Sequence, residues 1–205
     1  LIAYTSVSHF GFIALGIFAM TTQGQSGSTL YMVNHGFSTA ALFLIAGFLI
    51  SRRGSRLIGD FGGVSKVAPI LAGTFLVAGL SSLALPGLSS FASEFLVLVG
   101  TFNRYWLAGV IATVGIVLSA LYILLMYQRT MTGPAPVEVE ESVTELRGRE
   151  LLAVGALLSM IIALGFVPQV ALDVINPAVD RTMQSTGMTD PEPSTPVAES
   201  VEVSK

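Results

Sequence analysis

Four long stretches of this 205-residue chain contain no Asp, Glu, Lys or Arg: residues 1–51, 67–93, 105–128 and 151–172. A helix that crosses a bilayer needs about 20 mostly apolar residues. Soluble domains carry about 25% charged residues, whereas this chain carries 11% and is 52% apolar. The sequence therefore predicts an integral membrane protein made of helices and argues against a freely soluble enzyme.

The composition also excludes several classes of site. The chain has no cysteine, so it cannot form disulfides, bind an iron–sulfur cluster through cysteine or use thiol chemistry. Its net charge of −3 is spread over loops and tail without a basic patch, which argues against nucleic-acid binding. Because the chain begins with Leu1, inside an apolar run, rather than with Met, we expect it to be a fragment whose N-terminal part is missing.

The apolar runs divide into about six predicted spans: residues 1–20, 28–50, 67–85, 90–103, 106–127 and 150–170. The turn-rich sequence TTQGQSGS separates the first two spans. The apolar region that begins after Lys66 and ends at Phe102 is too long for one straight crossing. We place a break at Pro86-Gly87, because proline removes a backbone donor and the following serines can satisfy freed backbone groups.

Outside the spans the sequence predicts two water-facing segments. Residues 129–149 contain two prolines and a cluster of glutamates, which indicates an acidic surface loop. Residues 183–205 are rich in Pro, Ser, Thr and Glu, with too little apolar surface to bury, which predicts a disordered tail. The transmembrane domain is thus expected to cover residues 1–170.

Glu94 is the one charged residue embedded between apolar stretches rather than placed at their ends. A charge at bilayer depth costs several kcal/mol unless it is neutralised, paired or hydrated, so an ionisable residue there is a functional candidate. A carboxyl group buried in this way can exchange a proton near neutral pH. The alternative is that the break at Pro86-Gly87 brings Glu94 close to the interface as a solvated carboxylate or a helix-terminal charge.

His35 and His9 are the other titratable candidates within the spans. His35 shares a helical face with Tyr31, Ser38 and Thr39, and that face could line a hydrated path on which the histidine titrates in the physiological range. Both histidines could instead be neutral and hydrogen-bonded to a neighbouring helix, an interpretation that the sequence favours slightly for His9. Neither has metal-ligand spacing to the other or to Glu94, so no metal site is predicted.

Three segments carry a family resemblance: LIAYTSVSHFGF at the start, NHGFSTAALFLIAG in the second span and LALPGLSSFASEFLVLVGTF across the break. They resemble the antiporter-like proton-translocating subunits of respiratory complex I, and among these the M-type subunits, bacterial counterparts of mitochondrial subunit 4. The resemblance covers residues 1 to about 170. In the related L and N subunits the position that aligns with Glu94 is a lysine, and a glutamate there resembles the M type.

The resemblance implies a fold, a role and a set of partners. The chain would be the last six spans of a fourteen-span protein built on two inverted repeats. Glu94 would be the terminal proton site on a discontinuous helix, His35 would lie on the central hydrophilic axis, and His9 would occupy a recurrent family position. The chain would bind no cofactor; NADH, FMN, iron–sulfur clusters and quinone would be bound by other subunits. Its partners would be the other membrane subunits of complex I and the lipid of a bacterial inner membrane.

Two alternatives remain open from the sequence. Subunits of membrane-bound hydrogenases and of multisubunit cation/proton antiporters share these motifs. A structural membrane scaffold, in which Glu94 and the two histidines only tie helices together, would carry the same residues without moving protons.

Overall fold

A computed structural model of the chain describes residues 1–192, and this part contains helices and connections but no strand. The prediction of an all-α bundle is confirmed for these residues. The helices are α1 (Ile2–Phe18), α2 (Thr22–Arg53), α3 (Val64–Val67), α4 (Pro69–Ser82), α5 (Ser89–Arg104), α6 (Trp106–Met131), α7 (Val137–Ser142), α8 (Gly148–Phe166) and α9 (Gln169–Thr186), with a 3-10 turn at Ile58–Asp60.

The helix α2 is the axis of the bundle, and α1, α4, α5, α8 and α9 all pack against it. It is 32 residues long and begins at the sequence expected to form a turn. The hydroxyl of Thr21 caps its first turn by accepting a hydrogen bond from the backbone N–H of Gly24 at 3.1 Å. It ends at Gly54, whose positive φ of 73° suits glycine.

Glycines explain why α2 starts earlier than its sequence suggests. A Cβ at Gly27 would lie 2.7 Å from the backbone nitrogen of Val97, and one at Gly24 would lie 2.8 Å from the carbonyl oxygen of Gly16. Gly100 of α5 also packs on the backbone of Gly24. Close packing of α2 against α1 and α5 therefore outweighs the low helix propensity of glycine.

The helices α4 and α5 lie end to end along α2 and run antiparallel to it. The helix α4 begins beside the C-terminal end of α2, where Arg52 and the first turn of α4 both bond to Glu145. The helix α5 begins beside the middle of α2, where the Asn34 amide donates to the Ser89 carbonyl at 2.6 Å. The two stretches predicted as separate spans thus form the two halves of one interrupted path.

The interruption lies at the predicted position, between the end of α4 and the start of α5. Ala84 and Gly87 have positive φ angles of 53° and 92°, which interrupt the helix on either side of Pro86. The helix α8 covers this break. A Cβ at Gly165 would lie 2.7 Å from the carbonyl carbon of Gly87 and from the Cα of Leu88, so only glycine allows this approach.

The lipid-facing surface is clearest on α6, where large apolar side chains are exposed at helical intervals: Val110, Ile111, Val114, Val117, Leu118, Leu121 and Leu124. Three helices, α2, α6 and α8, are long and apolar enough on their own to cross a membrane, and α1 and α4 are shorter apolar helices. An apolar surface of this extent is typical of a protein embedded in lipid.

Two regions differ in detail from the expected segments. The connection 132–147 contains the short helix α7, and its Val139 and Val143 are buried in the main core beside α2, α4 and α8. The helix α9 follows the last apolar helix and packs on α2, where the Ser26 hydroxyl donates to Asn176 at 2.9 Å. The predicted disordered tail begins at 183, within α9, and its residues 193–205 lie outside the described residues.

Candidate functional site

Three buried side chains from three helices form a continuous hydrogen-bonded chain. His9 of α1 lies with its Nδ1 atom 2.7 Å from the hydroxyl of Tyr31 on α2. The same hydroxyl donates to Oε2 of Glu94 on α5 at 3.3 Å. The first distance is that of a good hydrogen bond, and the second is longer than usual for a bond between two oxygens. The structure thus brings the predicted residues His9 and Glu94 to the two sides of one tyrosine.

The break between α4 and α5 supplies the next member of the chain. Ser82, the last residue of α4, places its hydroxyl 3.1 Å from Nε2 of His9. Both ring nitrogens of His9 therefore have a partner, one on each side of the ring. We call the set Ser82, His9, Tyr31 and Glu94 the buried relay.

His35 lies beside the buried relay rather than within it. Its ring centroid is 5.1 Å from that of His9, and the two rings are tilted by 47°. Its hydrogen bond goes to the Thr39 hydroxyl, 3.1 Å from Nδ1, one turn further along α2. In the part of the chain that the structure describes, His35 makes no hydrogen bond to His9, Tyr31 or Glu94. The ring of Phe10 packs edge-on against it at 5.5 Å.

Asn34 fixes the position of α5, and hence of Glu94, against α2. Its amide nitrogen donates to the Ser89 carbonyl and to the Ser93 hydroxyl at 2.6 and 3.2 Å. The Ser93 hydroxyl in turn donates to the carbonyl of Ser90 at 2.8 Å. These contacts bridge the first turn of α5 to the face of α2 that carries Tyr31, because residues three apart share a helical face.

The whole relay is shielded from solvent. Tyr31 is 1% exposed, and His9 and Glu94 are 5% and 6% exposed. Within residues 1–192 the one salt bridge joins Arg52 to Glu150, near the other end of α2, so Glu94 has no ion-pair partner there. An ionised carboxylate is costly in such a place, and the hydroxyl of Tyr31 is the group that contacts it directly.

The chemistry open to this arrangement is proton transfer. Hydroxyl, imidazole and carboxyl groups each give up and accept protons, and here they follow one another at hydrogen-bond distance. No three His, Asp or Glu side chains in residues 1–192 lie close enough together to hold a metal ion. The sequence identified Glu94, His9 and His35 but not the bridging position of Tyr31 or the contribution of Ser82. The sequence feature that pointed to Tyr31 was the polar helical face that it shares with His35.

Comparisons with known proteins agree with this architecture. Residues 1–119 match the family described as NADH:quinone oxidoreductase/Mrp antiporter, transmembrane. The chain is 62% identical, over 95% of its length, to NADH-quinone oxidoreductase subunit M of Mycobacterium tuberculosis, of which it covers 35%.

Two solved structures share the fold. One is a chain of respiratory complex I from Thermus thermophilus with bound NADH, matched with a TM-score of 0.83 and 31% identity over 90% of this chain and 38% of that one. The other, from the Mrp complex of Dietzia sp., matches with a TM-score of 0.80 and 22% identity over 90% of this chain and 42% of that one, and shows the fold alone.

The chain thus spans about a third of the length of the relatives it matches. Its apolar helices and the membrane subunits that it resembles identify it as a multi-pass membrane protein. With more than half of its residues matched by the family model, the chain belongs to the NADH:quinone oxidoreductase/Mrp antiporter transmembrane family.

Proposed function

We propose that this chain is the C-terminal part of a proton-translocating membrane subunit, subunit M, of a bacterial NADH:quinone oxidoreductase. The subunit would couple NADH oxidation by quinone to proton movement across the inner membrane. NADH, FMN, iron–sulfur clusters and quinone would be bound by other subunits, and the other membrane subunits of the complex would be its partners. The observation that carries the proposal is the buried hydrogen-bonded sequence from His9 through Tyr31 to Glu94.

Within this proposal Glu94 is the site at which the membrane proton is held. Its burial, its place in the second turn of a helix that starts at a mid-bundle break, and its lack of an ion-pair partner in residues 1–192 support that role. His9 connects to Glu94 through Tyr31, and His35 extends the row of titratable groups along α2. The inverted-repeat folds of transporters place such broken helices at their ion sites.

The test is the substitution Glu94→Gln in the intact subunit within the assembled complex. Glutamine keeps the size of the side chain but cannot hold and release the proton, so we expect proton pumping to be lost or strongly reduced. Pumping is measured in inverted membrane vesicles by the quenching of a pH-sensitive dye, alongside NADH oxidation. Glu140→Gln, on the exposed side of α7, is the matched control and should pump normally.

Unchanged pumping and unchanged proton stoichiometry in the Glu94→Gln complex would exclude this role for Glu94. A cation/proton antiporter subunit is the second candidate, because the family includes Mrp antiporters. The two differ in their neighbours: copurification with NADH-oxidising subunits supports the first candidate, and their absence together with sodium-dependent proton exchange supports the second.

A purely structural role makes a different spectroscopic prediction. If Glu94 only ties helices together, its carboxyl band in the infrared spectrum does not change when the complex turns over. A proton conduit requires that this band change, and that the change disappear in the Glu94→Gln complex.

A further inference from the structure

We propose that Tyr31 is a proton-relay residue, which passes protons between His9 and Glu94 through its hydroxyl and ties the tautomer of His9 to the charge of Glu94. This inference rests on the proposed function, because it describes how a proton reaches the site assigned to Glu94. It adds a residue to the transfer step and gives that step a direction.

The position of Tyr31 is the first support. Its hydroxyl is within hydrogen-bond distance of both His9 and Glu94, at 2.7 and 3.3 Å. The side chain is 1% exposed, and its ring packs in a small apolar cluster with Phe12, Ile13 and Val97. The ring is thus held between α1 and α5, and the hydroxyl has little freedom to leave the space between its two partners.

The polarity of the hydrogen bonds is the second support. When Glu94 is ionised it can only accept, so Tyr31 donates to Glu94. The hydroxyl has a single proton, so it must then accept from His9, which carries its proton on Nδ1. Nε2 of His9 is consequently an acceptor, and the Ser82 hydroxyl donates a hydrogen bond to it at 3.1 Å. Every donor in the buried relay points toward Glu94.

This polarity defines a balanced transfer of one proton. An incoming proton binds Nε2 of His9 as the Ser82 hydroxyl turns to accept from it, and the Nδ1 proton passes to the Tyr31 oxygen while the Tyr31 proton passes to Oε2 of Glu94. One N–H bond, at Nδ1, and one O–H bond, on Tyr31, break, while one N–H bond, at Nε2, and two O–H bonds, on Tyr31 and Glu94, form. The net change is one proton gained by the buried relay and held on Glu94, with the proton of neutral His9 moved from Nδ1 to Nε2. His9 and Tyr31 are neutral before and after the step.

The transfer leaves the buried relay with the opposite polarity. Glu94 now donates to Tyr31, Tyr31 donates to Nδ1 of His9, and the Nε2 proton of His9 donates to Ser82. A second proton cannot follow the same route until Glu94 has released the first one and the donors have turned back. The relay is therefore loaded once per cycle from the side of His9.

The titratable groups that face the relay come from a small number of helices. His35 on α2 lies against His9, with ring centroids 5.1 Å apart, and is the nearest candidate source of the incoming proton. Tyr122 on α6 makes its side-chain hydrogen bond within its own helix. The Tyr122 hydroxyl forms this hydrogen bond with the Ser119 hydroxyl, at 2.8 Å.

The test is Tyr31→Phe in the assembled complex, compared with Glu94→Gln and with the control Tyr127→Phe. Phenylalanine keeps the packed ring and removes only the hydroxyl. Tyr127 is a partly buried tyrosine that stacks on Phe75, away from the relay. We expect Tyr31→Phe to lower the pumping rate by about tenfold or more, as for loss of a general acid–base group, and Tyr127→Phe to pump normally.

The outcomes separate this inference from the proposed function. If Glu94→Gln stops pumping while Tyr31→Phe pumps within about twofold of wild type, the relay through Tyr31 is refuted and the role of Glu94 stands. If both variants pump normally, the role of Glu94 within the proposed function fails as well. The infrared carboxyl band of Glu94 gives an independent reading, since removal of the Tyr31 hydroxyl should shift it and Tyr127→Phe should not.

A second substitution covers the case in which the Tyr31→Phe complex does not assemble. Site-specific incorporation of a fluorinated tyrosine at position 31 keeps the ring, the hydroxyl and both hydrogen bonds, and makes the hydroxyl a stronger proton donor. If Tyr31 carries the proton, the pH profile of pumping shifts. An unchanged profile in the assembled, fluorinated complex overturns the inference.

Discussion

Gly27 is the position at which the packing of the bundle and the relay geometry can be tested together. We predict that Gly27→Ala separates α2 from α5. The added Cβ would lie 2.7 Å from the backbone nitrogen of Val97, 2.8 Å from Cβ of Leu96 and 2.9 Å from the carbonyl oxygen of Ser93. Two of these three contacts are with backbone atoms, which cannot rotate away as the end of a flexible side chain can.

The size of the effect follows from those distances. Ordinary contacts of a Cβ begin at 3.4 Å, so the two helices must move apart by about 0.7 Å to admit the methyl group. Overpacking of this kind costs about 1–3 kcal/mol of folding free energy. Tyr31 lies one turn after Gly27, and the same displacement would extend its 3.3 Å contact with Glu94 to about 4 Å, beyond hydrogen-bond range.

The matched control is Gly36→Ala, in the same helix. A Cβ at Gly36 meets no atom within 4 Å, and alanine is the better helix former. We expect the Gly36→Ala complex to have the stability and pumping of the wild type. The Gly27→Ala complex should dissociate at lower temperature in detergent and should pump fewer protons per NADH oxidised.

Both variants are compared by thermal dissociation of the purified complex and by the ratio of dye quenching to NADH oxidation in vesicles. The reasoning would be refuted by a Gly27→Ala complex with the wild-type dissociation temperature and the wild-type ratio. It would also be refuted by equal losses in Gly27→Ala and Gly36→Ala, because the effect would then come from glycine flexibility rather than from the contact with α5.

Two further substitutions test the contacts that position the halves of the interrupted path. Asn34→Ala removes the buried amide that donates to the Ser89 carbonyl, so it should lower the free energy of unfolding by about 1–3 kcal/mol. The control Asn103→Ala, at an exposed hydrogen bond, should lower it by less than about 0.5 kcal/mol. Equal dissociation temperatures for the two variants would contradict this expectation. Glu145→Ala removes the carboxylate that accepts both N–H groups of the first turn of α4, at 2.7 and 2.8 Å, and should cost about 0.5–2 kcal/mol. The exposed Glu140→Ala should leave the dissociation temperature unchanged, and a similar fall in both would contradict the capping role.

Glu94 and the break before α5 could be predicted because each is recognisable from the linear sequence alone. Glu94 is an isolated charge in an apolar stretch, and the cost of such a charge in lipid makes it informative by itself. Pro86 lacks a backbone donor, and Gly87 supports a positive φ, so the end of α4 could be placed to within a few residues.

The start of α2 and the bridging role of Tyr31 depend on contacts that the sequence does not display. Gly24 and Gly27 are poor helix formers, yet α1 and α5 pack so closely there that no larger residue fits. Tyr31 meets His9 and Glu94 across 22 and 63 positions of sequence. Local pattern indicates that Tyr31 and His35 share a face of α2, but only the relative placement of three helices decides which of them contacts Glu94.

The contact of α8 with the break between α4 and α5 bears on whether protons can leak through the bundle. A helix interruption inside a membrane exposes backbone carbonyl and amide groups that hydrocarbon cannot satisfy, and such groups survive only where protein or water covers them. Gly165 packs directly on the backbone of Gly87. Under the proposed function, α8 separates the buried relay from the lipid at this break. A subunit with a bulky residue at position 165 would be expected to dissipate the gradient it helps to build, even with every titratable group intact.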